Sequence, residues 1–548
     1  MIQTECGIFG IISRENIDSS AITNGLKKLQ HRGRESFGVS YIDIIDINDI
    51  KINDTNDIKI NDIKTIKKEG LVSDIKNENN VLSHSWLGHV RYSTAGKKII
   101  VSINDNTNTN NKTAISETEL QEITECQYQL FMKSCQPLES VSKHLGKYSL
   151  THNGNIPYSI WRNMKGKYPS LIDKIDNDIS DTLLLIALIN HIAKIYYILE
   201  EEPNVDKLWS NVLEHIIKEI QGAYCLVIQT TSCFWIVRDR FGIRPLVLGI
   251  EYNNDNNDDD NYNNYNNYNN IKSIAVSSET VAFKDSYKIR RDIHPGEVVK
   301  VSYSSMEIET KFHLKGIKQK HCVFEYIYFL RDLTVADGTT IEHFRLSLGN
   351  KLGEQLKNGL NNGLNNGVCS IPPMTDKWKC DDAIICGVPT SGINYGKGLA
   401  KSLGLQYIQY LKKRTDYPWR TFILENNDKR LEACRKKFIV EADIIKDKVI
   451  ILVDDSIVRG NTVSYLIKYI RKFNPKEVHF ISGSPPIKHP CRYGVDFPDI
   501  EELIANQIPV DKLADHFGLD SLTYLEIDRL MELKDNVCNA CFTGNYMF

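Results

Sequence analysis

Strong charge of either sign is missing from this sequence: 67 lysines and arginines stand against 70 acidic residues, leaving a formal net charge of -3. Nothing in that balance draws the chain to nucleic acid or to an anionic membrane, so any charge-driven binding must be local. Basic residues are also absent ahead of the first apolar stretch, MIQTECGIFGIIS, and no small-residue cleavage signature accompanies it. That argues against a secretory signal and for a cytoplasmic protein. The most apolar run, DTLLLIALINHIAKIYYIL, is interrupted by Asn190, His191 and Lys194, a spacing that predicts an amphipathic core helix and not a membrane span. With no export signal, the 13 cysteines are expected to serve as metal ligands, catalysts or buried thiols, not as disulfides.

What is present is a globular chain of 548 residues, 41% hydrophobic, long enough for about two to four domains. Two stretches break the globular pattern, DIIDINDIKINDTNDIKINDIKTIKK from Asp43 and EYNNDNNDDDNYNNYNNYNN from Glu251. The second has too few apolar side chains to offset the entropy of ordering and reads as a disordered insertion. NGLNNGLNNG from Asn358 reads as a polar loop. Between the inserts, short strands such as YCLVIQT and CFWIVRD predict a β-rich N-terminal half, whereas from about residue 320 strand-like DDAIICGVP and DKVIILVDD alternate with helix-like segments. This is the texture of a parallel sheet, and a domain boundary is expected near residue 315.

Cys6 lies in ECGIFGI and is accompanied by LQHRGRESFG (29–38), HVRYSTAG (89–96) and THNGNI (151–156). Together these strings resemble the N-terminal-nucleophile glutamine amidotransferases, which hydrolyse glutamine with the side chain of their first residue. A thiol with an ordinary pKa near 8.5 needs a base, and a free α-amine with a pKa near 7.7–8.0 supplies one on the same residue. Residues 1–5 are therefore expected to be a propeptide whose removal exposes Cys6. The resemblance implies that Arg91 clamps the glutamine α-carboxylate through its guanidinium fork and that Asp181 holds the α-ammonium. It further implies that Asn153 and Gly154 form the oxyanion hole, one side-chain amide and one backbone N–H.

A second constellation ends an apolar strand on paired carboxylates, KVIILVDDSIVRGNT (448–462). It resembles the binding motif of type I phosphoribosyltransferases, in which such a strand delivers two acids to the carboxyl edge of an open α/β sheet. Asp454 and Asp455 are then expected at the ribose hydroxyls and Mg2+ of phosphoribosyl pyrophosphate. Ser456, Ile457, Val458, Arg459, Gly460, Asn461 and Thr462 would form the loop whose backbone N–H groups receive the 5′-phosphate. In GVPTSG (387–392), Ser391 matches a loop near the metal, while Thr390 stands where an acid is usual. KKRTDYPWRTFI resembles a mobile loop over the pyrophosphate, with Arg414 and Arg420 as its basic residues and Lys413 a weaker match.

A glutaminase joined to this transferase, together with CVFEYIYF (322–329) and SPPIKHPC (484–491), resembles the amidophosphoribosyltransferase family. The resemblance covers nearly the whole chain outside the insertions. It implies an Ntn-hydrolase domain of four αββα layers over residues 6–315, with low-complexity inserts near 43–80 and 251–270. A type I phosphoribosyltransferase domain, a parallel sheet with flanking helices, would fill 316–548. The implied reaction makes 5-phosphoribosylamine, glutamate and pyrophosphate and opens purine synthesis, with purine nucleotides as inhibitors and a homotetramer or homodimer as the assembly. CNAC near the C-terminus is by itself compatible with half a zinc site or a redox dithiol. The resemblance adds Cys322 and Cys491 to Cys538 and Cys541 and places the chain in the iron–sulfur subgroup, with a structural [4Fe–4S] cluster on four thiolates. Glucosamine-forming or asparagine-forming amidotransferases would need other second domains, which VDDSIVRGNT does not fit. A catalytically weakened, nucleotide-binding regulator of the same family is the alternative, and Thr390 is its one supporting feature.

Overall fold

The computed structural model describes residues 6–46, 59–73, 75, 81–92, 131–164, 166–171, 180–200, 203–253, 268–362, 383–414, 438–495, 497 and 499–548. Contacts divide the chain into two compact units, one of Thr4–His321 with Arg492–Asp496, the other chiefly of Cys322–Cys491 and Phe497–Phe548.

In the N-terminal unit, the residues after Cys6 open a 12-residue strand, β1 (Gly7–Asp18), and Asp18 caps the helix α1 (Ser19–Lys28) by accepting from the Ser20 N–H. Ile8 and Ile12 alternate with Phe9 and Ile11 along β1, and the two sets fall into different cores, as a strand buried on both faces requires. β1 is central in a seven-stranded sheet with β2 (Ser36–Asp46), β3 (Lys59–Glu69), β4 (Leu82–Arg91), and later strands β9 (Val247–Tyr252), β10 (Ile271–Ser277) and β11 (Lys288–Asp292), in the order β11-β9-β10-β1-β4-β2-β3. A six-stranded sheet faces it: β5 (Leu138–Ser142), β6 (Gly146–Asn155), β7 (Ala223–Gln229), β8 (Cys233–Arg238), β12 (Glu297–Ser302) and β13 (Ile308–His313), ordered β13-β12-β8-β7-β6-β5.

Three apolar layers separate four structural ones. Phe9, Ile22 and Leu26 pack α1 on the first sheet. Ile8, Leu87, Val227 and Phe234 fill the space between the sheets. Leu184, Leu188, Trp209 and Leu226 join the second sheet to the helices α2 (Asp181–Leu199) and α3 (Val205–Glu219). The arrangement is αββα. α2 is apolar enough to cross a membrane by length and composition, but Leu184, Leu185, Leu188, Ile189 and Ile192 on it are nearly inaccessible within this core.

The C-terminal unit carries a five-stranded sheet of β14 (Ala383–Gly387), β15 (Gln406–Tyr407), β18 (Val449–Asp454), β19 (Glu477–Ser482) and β20 (Ser521–Tyr524), ordered β15-β14-β18-β19-β20. Every pairing in it is parallel. Helices α4 (Ile341–Asn362), α5 (Ile393–Leu403) and α6 (Asn461–Ile470) accompany it, and a short ribbon pairs β16 (Leu411–Lys413) with β17 (Phe438–Val440). Ile450 and Leu452 from β18 meet Val463, Leu466 and Ile467 from α6 in one core, the helix-on-sheet packing that parallel strands need.

Two expectations change. The Ile/Asp/Lys stretch from Asp43 forms part of a hairpin, with Ser36–Asp46 in unbroken register against Lys59–Glu69 and Ile63 fully buried. The polar repeat from Asn358 begins as the last turn of α4 and not as a loop. Residues 254–267 of the Asn-rich insertion lie outside the described residues.

Candidate active site

In the N-terminal unit, strand alternation turns Ile8 and Ile12, just after Cys6, to the side that faces the second sheet. On β6, the same alternation sends Tyr148 and Leu150 toward the helices and Asn153 toward the first sheet. Ser278 joins the two: its hydroxyl accepts from the Ile8 N–H at 3.0 Å and from the Asn153 side-chain amide at 3.4 Å. Arg32 fixes the Cys6 backbone, donating from Nε to the Cys6 carbonyl at 3.0 Å while Nη1 pairs with Glu279 at 2.8 Å, both side chains fully buried. The Cys6 thiol, partly exposed, lies 3.7 Å from the Tyr92 carbonyl.

Gly154 has φ +146°, and a Cβ there would come within 1.9 Å of the Ala223 carbonyl oxygen. No other residue fits. Arg91 ends β4, where Nη1 donates to Ser134 Oγ at 2.6 Å and the guanidinium lies 5.2 Å from the Phe131 ring centroid. One step back, burial drives His89 down to about 3, with the Arg91 charge adding to the effect, so this imidazole is neutral. Asp181 opens α2, where its carboxylate accepts from the Ile156 N–H at 3.2 Å and from its neighbour Thr182 N–H at 2.8 Å. Its negative charge at the head of the helix suits it to an ammonium. The segment 1–5 and residues 93–96 of the RYST string lie outside the described residues.

In the C-terminal unit, β18 stops at Asp454, whose Oδ1 accepts from Ser391 Oγ at 2.9 Å and from the Asp455 N–H at 2.9 Å. Burial pushes the Asp454 carboxyl well up, and the Asp455 charge pushes it further. Two acids this close, in this little water, are stabilised by a cation. The loop before α5 is pressed on the strand end: Val388 N–H donates to the Val453 carbonyl at 2.8 Å, and a Cβ on Gly392 would come within 2.0 Å of that oxygen. Thr390 sits in this loop beside Ser391 with no acid in its place.

From Asp455 to Thr462 the chain turns into α6. Gly460 adopts φ +72° immediately before the helix, and a Cβ there would meet the Phe517 ring at 2.7 Å. Ile457 and Val458 are buried, so they offer backbone and not side chain to a ligand. Asn461 is exposed and Thr462 half-buried at the start of α6, and Ser456 donates to Asp455 Oδ2 at 2.5 Å. Arg459 is engaged with Glu502 at 2.8 Å. Lys413 ends β16 and Arg414 follows it, exposed; Arg420 lies outside the described residues.

The cysteine set is assembled from distant parts of the same unit. Lys488 and His489 N–H groups both donate to the Cys541 carbonyl, at 3.0 and 3.1 Å, which fastens the tail to the loop ending in Cys491. Phe324 packs on Phe497 and Phe542, with ring centroids 4.9 and 6.0 Å apart, bringing the neighbours of Cys322, Cys491 and Cys541 together. Burial raises the Cys541 thiol far above its ordinary value, with Cys322, Cys538 and Cys491 adding to it. Among the described residues, no three His, Cys, Asp or Glu side chains converge tightly enough to hold a single metal ion.

Motif reasoning missed Ser278 and Glu279, which lie in an unremarkable VSSET string, and Arg32, which was quoted without a role. Their place in the site is legible only through partners distant in sequence, 247 residues for Arg32 with Glu279 and 270 for Ser278 with Ile8.

The four-layer unit with its N-terminal thiol and the parallel-sheet unit with its paired aspartates define a glutamine amidotransferase joined to a phosphoribosyltransferase. Residues 375–494 match the phosphoribosyl transferase domain family. The amidophosphoribosyltransferase of Methanocaldococcus jannaschii is 27% identical over 99% of this chain and 97% of its own length, and that of Homo sapiens 29% over 100% and 98%. The solved glutamine phosphoribosylpyrophosphate amidotransferase of B. subtilis, complexed with ADP and GMP, superposes with a TM-score of 0.70 at 26% identity, covering 99% of this chain and 97% of that one. Over nearly its full length the chain is therefore similar to amidophosphoribosyltransferases.

Proposed function

We propose that this chain transfers the amide nitrogen of glutamine to phosphoribosyl pyrophosphate, giving 5-phosphoribosylamine, glutamate and pyrophosphate, the first step of purine synthesis. The observation that carries the reading is the presence, in one chain similar to amidophosphoribosyltransferases over its full length, of both the Cys6–Ser278–Asn153 constellation and the Asp454–Asp455 strand end.

Residues 6–315 act as the glutaminase. Once residues 1–5 are removed, the α-amine of Cys6 accepts the thiol proton and the sulfur attacks the glutamine amide carbon. Asn153 Nδ2 and the Gly154 N–H stabilise the resulting oxyanion, while Arg91 and Asp181 hold the α-carboxylate and α-ammonium. Ammonia leaves, and water releases glutamate from the thioester.

Residues 316–548 act as the transferase. The N–H groups at Ser456 to Thr462 hold the 5′-phosphate, Asp454 and Asp455 hold the ribose hydroxyls, and Arg414 and Arg420 cover the pyrophosphate. Ser391, Asp454 and Asp455 would hold Mg2+, which neutralises charge on the leaving pyrophosphate. The crowding of two acids at the strand end supports a cation there. Cys322, Cys491, Cys538 and Cys541 would hold a [4Fe–4S] cluster that ties the tail to its unit. The influence of the other three thiols on Cys541 supports this reading, and a cluster spreads its ligands around several irons where a single ion would gather them. Purine nucleotides are proposed as inhibitors, in line with the ADP and GMP of the B. subtilis complex, and the chain is proposed to act in the cytoplasm as a homotetramer or homodimer.

The test is glutamine-dependent pyrophosphate release from phosphoribosyl pyrophosphate with Mg2+ under anaerobic conditions. Processed protein is expected to turn over; protein with correctly exposed Cys6 that releases no pyrophosphate would refute the reading. Iron and acid-labile sulfide should accompany the purified chain, and one zinc without iron would exclude the cluster.

A further inference from the structure

On the side away from β7, no strand among the described residues lies beside β6 past Leu150, because β5 begins at Leu138, the partner of Leu150, and the preceding Pro137 has no N–H to continue the ladder. Side chains take over. The His152 N–H donates to Gln136 Oε1 at 2.5 Å, and two residues on the Ile156 N–H donates to Asp181 Oδ2 at 3.2 Å. Strand alternation points the Gly154 N–H to the same edge, midway between these two tethers.

Gln136 does more than fill a gap. Its Nε2 donates to Thr182 Oγ1 at 3.3 Å, and that hydroxyl lies 3.3 Å from Asp181 Oδ1 and 3.1 Å from His152 Nδ1. Gln136 is buried, and its backbone carbonyl rests on Gly38, where a Cβ would come within 2.4 Å of it. The side chain is thus fixed from behind and bonded at both ends.

We propose that Gln136 is a positioning residue of the glutaminase, whose one amide sets both the β6 edge carrying the Gly154 N–H and, through Thr182, the Asp181 carboxylate. It touches neither the thiol nor glutamine itself; it fixes the distance between the group that receives the oxyanion and the group that receives the α-ammonium. The inference rests on the glutaminase reading above.

Steady-state kinetics on processed protein test it. Gln136→Met keeps the length and removes both hydrogen bonds. It is expected to lower glutamine-dependent kcat/KM about 10- to 100-fold, through a higher KM and a lower kcat, while ammonia-dependent synthesis stays within about twofold. Thr182→Val cuts the branch to Asp181, and with it the contact to the His152 ring, but leaves the His152 N–H tether to Gln136 in place, so KM for glutamine should rise with kcat retained; Thr182→Ser should keep the parental KM. Parental glutamine kinetics in Gln136→Met, or equal losses with glutamine and ammonia, would overturn the proposal. A parent protein that lacks glutamine-dependent activity would instead refute the glutaminase reading, so the two failures are distinguishable.

Discussion

Asp454 is a residue whose function and stability oppose each other. Its carboxyl is charged in an unfolded chain above about pH 4 but resists charging in the fold, because burial and Asp455 both raise it. It therefore costs stability at neutral pH and costs nothing once both states are protonated, below about pH 4. Asp454→Asn keeps an acceptor for Ser391 and can donate to Asp455, so without Mg2+ it should unfold about 2 °C or more above the parent at pH 7.5. That gain should vanish toward pH 4 in thermal scans, and a variant less stable than the parent at pH 7.5 would contradict the argument. Gly154→Ala should go the other way, since its Cβ would collide with the Ala223 carbonyl; a loss of more than about 2 kcal/mol in denaturant unfolding is expected. At this scale the sequence singled out Cys6, Asn153, Gly154, Asp454 and Gly460 as candidates because each stands in a short contiguous motif. It did not disclose Ser278, Glu279 or Gln136, whose roles come from partners that only the folded sheets bring near.

Elements were legible where period and capping agreed. β18 and α6 follow from an apolar run ending in acids and a glycine before Asn461, and a β-rich N-terminal half follows from closely spaced short strands, whereas its αββα layering came only with the family resemblance. β3 was hidden because its isoleucines, at 60, 63 and 66, recur every three residues, which is neither the strand nor the helix period; pairing with β2 decided it. The end of α4 was hidden because Asn and Gly disfavour helix locally, and propensity yielded to propagation from the preceding turns. The Asn-rich insertion offers an element-scale test. Asn253 N–H donates to the Asn270 carbonyl at 3.0 Å, so β9 and β10 are already joined at both sides of residues 254–267. Replacing those residues by a short Gly-containing turn should leave the unfolding temperature and glutamine-dependent activity within error of the parent. A loss of folded protein would show that the insertion supports the sheet.

At the scale of the whole molecule, the proposed reaction divides into nitrogen release in one unit and glycosyl transfer in the other. Asp454→Asn combined with Asp455→Asn should abolish synthesis from glutamine and from ammonia alike, because ribose and metal contacts serve either nitrogen source. The most direct measurement is the same pair of assays on Cys6→Ala, expressed with its start codon directly before position 6. No detectable phosphoribosylamine is expected from glutamine, since no other nucleophile replaces the thiol, and near-parental synthesis is expected from high external ammonia. Retained glutamine use by that variant, or loss of ammonia use in folded protein, would contradict this division.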